Sequence, residues 1–172
     1  VQTCALPISG RGYGSYTNSS GTIVGYIGNG GGGSMNTGAA TDFGIASVGA
    51  LLFSAGGTLN ENMRIDSNGN VGIGVTPQSW YTGKVLQLGS YTSFSDLSTA
   101  TRISNNVYYN GAGTLIYLNT GAATEYQSSG GTHTWKYAAS GTAGTVATWT
   151  TAMTIDSSGY VLVGTTNSTP SS

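Results

Sequence analysis

The feature that most constrains the fold of this chain is an internal repeat. Asn36–Phe43 recurs as Asn119–Tyr126, with six identical residues followed by an acid-for-acid and an aromatic-for-aromatic exchange. Met63–Gly74 recurs, in the same order along the chain, as Met153–Gly164. We call these two repeated segments the landmarks. Their common order indicates a tandem array, in which each copy is one supersecondary unit that buries its apolar surface against a neighbour. The chain is therefore predicted to contain two copies of one unit.

The landmarks set the boundaries of the two copies. The first repeat is predicted at residues 9–81 and the second at 82–172, with the second truncated where another opening strand is expected. Residues 1–8 match the translation of a common sequencing adaptor. They are predicted to be an artefact at the start of a metagenomic fragment and are excluded from fold reasoning. The only cysteine, Cys4, lies in this segment, so no internal disulfide is expected.

The secondary structure is predicted to be β throughout. No stretch places apolar residues at helical spacing over helical length, and the 29 glycines, with many Ser, Thr and Asn, disfavour helices. Alternating segments such as Val85–Leu88 and Thr132–Tyr137 fit short strands, and turn formers such as Ser129–Gly131 separate them. The predicted fold class is all-β, built from tandem hairpins or meanders.

The Met63–Gly74 landmark predicts a hairpin. Asp66 can start its turn by accepting a hydrogen bond from a backbone N–H two residues on, and Gly69 can adopt the left-handed conformation that closes it. Asp156 and Gly159 are predicted to form the same structural turn in the second copy. The small residues between the apolar positions of the returning strand suit close approach of another strand or chain.

The segment Met63–Pro77 resembles a motif of phage tail-fibre and related virion appendage proteins, where it ends one shaft repeat. By the same resemblance, Gln78–Gly83 is similar to the joint between two shaft repeats, and Lys84–Gly89 is similar to the strand that opens the next repeat. The resemblance implies an elongated, trimeric, fibrous shaft in the virion, hence extracellular. It also implies a separate tip that contacts a host-surface glycan or protein, and no catalysis by the shaft.

A physical reason also favours a homotrimer. A hairpin or short meander with few large apolar side chains is marginally stable in water. Three copies around a threefold axis would bury one face of each and cover exposed strand edges.

Composition excludes several partners. Charged residues make up 6% of the chain and the net charge is −1, with five scattered cations and no basic stripe, so no nucleic acid is expected. The longest apolar-leaning run, Ile45–Phe53, is too short to span a bilayer, so no membrane insertion is expected.

Candidate catalytic, metal and cofactor residues are weak. His133 is the only histidine, and no acid or Cys pattern accompanies it. Asp66–Asn70 resembles a calcium loop, but its glycine comes too early. Gly28–Gly33 satisfies a dinucleotide-binding spacing, but no helix is predicted after it. We therefore predict that the chain binds no cofactor and no metal and that it is not an enzyme. A tailspike-like glycan depolymerase remains an alternative, and it would need two acids converging in one groove.

Aromatic side chains offer a second alternative, a glycan-binding adhesin module of a bacterial surface or phage fibre protein. Sugars stack on exposed aromatic rings. The candidates for glycan contact are Trp80, Tyr81, Tyr108, Tyr109 and Trp135. The competing interpretation is that these residues pack in a core or between subunits.

Overall fold

The structure is a computed structural model. It describes residues 13–29, 43–56, 60–81, 83–97 and 99–164. The predicted adaptor segment 1–8, the first landmark up to residue 42 and residues 165–172 lie outside the described residues.

The described residues form fifteen β-strands and no helix, which confirms the all-β prediction. The strands are β1 (Tyr13–Thr17), β2 (Ile23–Asn29), β3 (Phe43–Ser47), β4 (Leu51–Ser54), β5 (Glu61–Ile65), β6 (Val71–Ile73), β7 (Lys84–Leu88), β8 (Thr92–Leu97), β9 (Ala100–Asn105), β10 (Val107–Tyr109), β11 (Leu115–Tyr117), β12 (Gly121–Ser129), β13 (Thr132–Gly141), β14 (Thr150–Ile155) and β15 (Val161–Val163).

The chain divides into two compact units, residues 1–51 and 52–172. The first contains a three-stranded sheet of order β1-β2-β3, antiparallel throughout. Its central strand places Tyr26 opposite Ser15 on one side and opposite Ala46 on the other.

The second unit is built on a ten-stranded sheet of order β15-β14-β13-β12-β9-β8-β7-β6-β5-β4. The sheet is mixed, because β6 and β7 are parallel while the pairs from β7 to β15 are antiparallel. A parallel pair needs a crossover connection. Residues 74–83 provide it, and they contain the predicted joint.

Glycine 72 lets the crossover pack closely on the sheet. A Cβ at Gly72 would overlap the carbonyl oxygen of Val75 and the ring of Pro77. The close approach expected at this glycine is therefore made by the chain's own crossover. The matching residue of β15 is Leu162, whose side chain is itself buried.

A second layer covers one face of the ten-stranded sheet. It contains the antiparallel hairpin β10–β11. Bridges from Trp80 to Asn110 and from Ile116 to Val146 extend that hairpin on both sides. The core between the two layers consists of Val107, Leu115, Tyr117, Ala123, Ala138 and Ala147.

Candidate functional site

The two landmark hairpins have matching turns. Asp66 Oδ1 accepts hydrogen bonds from the backbone N–H of Asn68 at 2.8 Å and of Asn70 at 2.9 Å. Gly69 donates to the Asp66 carbonyl and has φ +80°. In the second turn Asp156 Oδ1 accepts from residues 158 and 160 at 2.9 and 3.0 Å, and residue 159 is a glycine with φ +86°. The carboxylates of these turns therefore have structural bonding partners.

Two further turns are of this type, one of them at Asn110, where the sequence has a turn-forming Asn-Gly pair. Asn18 accepts N–H bonds from residues 20 and 22, each at 3.0 Å, and Gly21 closes the turn with φ +78°. Asn110 accepts from residues 112 and 114 at 3.1 and 2.9 Å, and Gly113 has φ +75°. The spacing Asp/Asn-x-x-Gly is common to all four turns and is the signal that could have found them.

One face of the ten-stranded sheet buries several polar side chains beside apolar ones such as Val85, Leu97 and Ala123. The face beneath the second layer, here called the covered face, buries polar side chains to less than 5% exposure. These are Gln87, Ser93, Ser95, Ser104 and Glu125. Side chains alternate along a strand, so the residues between them lie on the opposite face, here called the outer face.

An ion cluster centred on Glu125 lies on the covered face. The carboxylate accepts hydrogen bonds from Ser104 Oγ at 3.0 Å and from Lys136 Nζ at 3.2 Å, and Arg102 Nε lies 3.8 Å from it. Lys136 also donates to Gln127 Oε1. Three strands contribute to this cluster, since Glu125 on β12 lies opposite Ser104 on β9 and opposite Lys136 on β13. A carboxylate so enclosed is positioned to balance charge and has little access to a substrate.

Tyr109 joins this cluster to the second layer. The Arg102 guanidinium lies 5.1 Å from the centre of the Tyr109 ring, and the Trp149 indole N–H donates to the Tyr109 hydroxyl at 3.1 Å. Burial raises the pKa of the Tyr109 phenol, and the negative charge of Glu125 adds to that effect. The hydroxyl is thereby held in its neutral form.

A continuous row of apolar side chains crosses the outer face. Its members lie directly opposite one another on successive strands from β7 to β15. We call it the apolar row; it consists of Leu86, Phe94, Ile103, Tyr126, Trp135, Met153 and Val163. Phe94 is 42% exposed, Ile103 43% and Val163 73%. No ionisable carboxylate or cationic side chain belongs to the row.

Two shallow grooves follow the row. One of about 460 Å³ is lined by Ile103, Tyr126, Trp135 and Tyr137, and its polar lining includes Thr124, Glu125 and Lys136. The other, of about 330 Å³, is lined by Val71, Leu86 and Phe94 and ends at Lys84 and Asp96.

The predicted glycan contacts separate into two places. Trp80 packs edge-on against Tyr108 with ring centroids 5.8 Å apart, and the backbone N–H of Tyr81 bonds to the Tyr109 carbonyl. These four residues belong to the second layer. Trp135 lies across the sheet from them, in the apolar row. The five residues therefore do not form one sugar platform.

The remaining chemistry-bearing residues do not converge. His133 Nδ1 lies 2.6 Å from the Tyr126 hydroxyl. Among the residues that the structure describes, no group of three or more His, Cys, Asp or Glu side chains is placed to hold a metal ion. In the same residues no helix is long and apolar enough to cross a membrane.

Comparison of the chain with protein-family models, curated proteins and solved structures gave no match.

Proposed function

We propose that this chain is a structural segment of a bacteriophage tail-fibre shaft that associates as a homotrimer through its outer face. The role is mechanical: the segment spaces and stiffens a receptor-binding tip at the outside of the virion. No catalytic residue takes part.

The apolar row is the observation that carries this proposal. A single soluble domain normally turns its large apolar side chains inward, and contiguous exposed apolar patches mark interaction sites. The covered face buries small apolar residues together with serines, a glutamine and a glutamate, while the larger Phe94, Ile103 and Trp135 face outward. The sheet therefore has large exposed apolar side chains on the side that no described residue of this unit covers.

A second copy of the same chain is the occupant best matched to this surface. The side chains of the row carry no charge, so they offer no electrostatic attraction to a positively or negatively charged partner. Closed symmetry lets the same patch meet its own copies, and three copies about one axis cover each row equally. The charged residues at the smaller groove are Lys84 and Asp96, which lie opposite each other. Those at the larger groove are Glu125 and Lys136, which are paired with each other.

The two landmark hairpins support a tandem unit. Met63 lies opposite Ile73, and Met153 lies opposite Val163 in the same register. A unit repeated with the same hairpin suits a shaft, because its length grows by adding copies.

Mass in solution tests the proposal. We expect the chain to have three times its formula mass by light scattering or native mass spectrometry. Ile103→Glu should dissociate the trimer, because three uncompensated carboxylates would be buried against apolar side chains. Ala112→Glu, in an exposed turn of the second layer, is the matched control and should stay trimeric.

Two results would contradict the proposal. One is a folded wild-type chain that stays monomeric as its concentration is raised. The other is an Ile103→Glu chain with the wild-type mass. Circular dichroism of each variant separates a lost interface from a lost fold.

A glycan-binding module is the second candidate, and the groove beside Trp135 favours it. Tyr126 and Trp135 pack with ring centroids 5.2 Å apart, and Tyr137 is 47% exposed beside them. A monomeric chain whose tryptophan fluorescence changes on titration with host-type oligosaccharides, and no longer changes in Trp135→Ala, would support this function instead.

A further inference from the structure

The covered face brings a lysine into contact with a side-chain amide and with a buried carboxylate. These are the three groups that an internal amide cross-link requires. We infer that Lys136 and Gln127 form a covalent isopeptide bond between β13 and β12, with Glu125 as the proton acceptor. The bond needs no second molecule, and it depends neither on the apolar row nor on association of the chain.

The three groups lie on the same face of two paired strands. Glu125 is directly opposite Lys136 in the register of β12 and β13, and Gln127 is two residues along β12, diagonal to the lysine. Residues two apart on a strand share a face, and a long side chain reaches the diagonal position. Lys136 Nζ accordingly donates to Gln127 Oε1 and, at 3.2 Å, to Glu125 Oε1.

This contact supplies what a glutamine and a lysine lack in free solution, where an amine leaves an amide intact. Two groups held together in a productive orientation react as if one were present at about 10⁵ M or more. Both strands are also fixed by their neighbours in the sheet, since β12 pairs with β9 and β13 pairs with β14. The sheet therefore holds the amine and the carboxamide in place.

Glu125 is positioned to accept a proton from the lysine. A lysine attacks as the neutral amine, so its ammonium must first lose a proton to a group within hydrogen-bond reach. Glu125 Oε1 is that group. Its other oxygen, Oε2, accepts a hydrogen bond from Ser104 Oγ at 3.0 Å, which fixes the carboxylate with Oε1 toward Nζ.

The second layer shields these groups from bulk water. The Glu125 side chain is 0% exposed and that of Lys136 is 16% exposed. Tyr109 lies over the Arg102 guanidinium beside Glu125, and Trp149 donates to the Tyr109 hydroxyl. Exclusion of water suppresses hydrolysis of the side-chain amide in competition with the amine. The partial exposure of Lys136 leaves a path by which a small product can depart.

The reaction is a transamidation in which atoms and charges balance. One proton passes from the Lys136 ammonium to Glu125, and the lone pair of Nζ then forms a bond to Gln127 Cδ. A second proton moves from Nζ to Nε2, the Cδ–Nε2 bond breaks, and the nitrogen leaves as ammonia. The ammonia takes the first proton back from Glu125 and departs as ammonium. The product is a secondary amide, and no oxidant, reductant or further reactant is consumed.

Mass spectrometry of the whole chain tests the inference. After incubation for several days at neutral pH, the chain should be lighter than its formula mass by one ammonia molecule. Trypsin cuts after lysine, but not after a lysine whose amine has become an amide. The digest should therefore contain one peptide of residues 103–172 in place of peptides 103–136 and 137–172. Fragmentation of this peptide should release no separate pieces from cuts between Gln127 and Lys136, because the ring holds them together.

The same digest contains its own controls. The Lys84 ammonium contacts the backbone carbonyl of Asn68, so cleavage after Lys84 should be complete. Asn110 precedes a glycine and can also lose ammonia by forming a cyclic imide. That reaction lowers the intact mass but leaves cleavage after Lys136 unaffected, so the two sources of the mass deficit are separated.

Four variants assign the roles of the three residues. Lys136→Arg keeps the positive charge and Gln127→Met keeps the length of the side chain, and each should retain its formula mass. Glu125→Ala removes the proton acceptor, so in a cell-free synthesis time course the bond should form about a hundredfold more slowly. Glu125→Asp keeps the charge but draws the carboxylate back from Nζ, and should slow the bond at least about tenfold. It provides the comparison if circular dichroism shows that Glu125→Ala does not fold.

Three results would overturn the inference. The first is a folded wild-type chain that keeps its formula mass or is still cut after Lys136. The second is a deficit of one water molecule instead of ammonia, which would place the bond at Glu125. The third is an undiminished rate in a folded Glu125 variant. Trimer formation is measured on the intact assembly, so a failure here leaves the proposed function untouched.

Discussion

Replacing the turn aspartates by alanine should destabilise the two landmark hairpins unequally. In both turns alanine removes two hydrogen bonds from backbone N–H groups, each worth about 0.5–1.5 kcal/mol net. Asp156→Ala should therefore cost about 1–2 kcal/mol of unfolding free energy, since its turn is exposed.

Asp66→Ala should cost more because Asp66 makes a third bond. Its Oδ2 accepts from the Asn70 side-chain amide at 3.1 Å, and Asn70 is 3% exposed. Without Asp66 that buried amide loses its partner, which adds a desolvation cost of about 1 kcal/mol or more. We expect a total of about 2–3 kcal/mol.

Asparagine is the matched control at both positions. Asn18 and Asn110 make the same turn with the same pair of backbone bonds. Asp156→Asn should therefore be nearly neutral. Asp66→Asn keeps the two backbone bonds but replaces the acceptor of the Asn70 amide by a donor, so it should cost about 1 kcal/mol, less than Asp66→Ala.

Urea denaturation followed by tryptophan fluorescence measures these differences, because all three tryptophans lie in residues 52–172. The reasoning is refuted if asparagine is as damaging as alanine, or if Asp156→Ala costs as much as Asp66→Ala.

Two further predictions concern the covered face and the second layer above it. Glu125→Gln should lower the unfolding free energy by about 3–5 kcal/mol, because it leaves two partly buried cations without their counter-charge. Glu61→Gln, at a more exposed ion pair, is the control and should have little effect on the urea midpoint. Equal effects of the two substitutions would contradict a charge-balancing role for Glu125. Tyr109 should ionise above its ordinary pKa of 10.0, mainly because of burial, so its contribution to stability is full below that pH and is lost as pH rises through the folded pKa. Ultraviolet difference titration of wild type and Tyr109→Phe measures this, and loss of the lowest-pKa tyrosine signal in the variant would contradict it.

The landmark turns were accessible from sequence because they depend on short-range geometry. An aspartate and a glycine three residues apart contain the whole bonding pattern of the Asp66 turn. The same rule applies to Asn18 and Asn110, which make the same pair of backbone bonds. Alternation predicted a strand at Val85–Leu88 and the motif resemblance one at Lys84–Gly89, and β7 spans Lys84–Leu88.

The Glu125 cluster was not accessible in this way. Its members come from β9, β12 and β13, and no local pattern shows that Arg102, Glu125 and Lys136 meet. The candidate glycan contacts could not be grouped from the sequence either. Trp80 and Trp135 are both tryptophans in predicted β-structure, but Trp80 lies in the second layer and Trp135 lies in the sheet.

The sequence by itself determined that this chain is β-structured, how its hairpins turn, and which residues alternate along each strand. Alternation, however, is symmetric, because it separates two faces without saying which is covered. Only the tertiary structure decided that the second layer lies over the serines and Glu125 and leaves Phe94 and Ile103 outside. The physical reason is that coverage depends on where the crossover at Gly72 and the β10–β11 hairpin fold back, and these are contacts between distant parts of the chain.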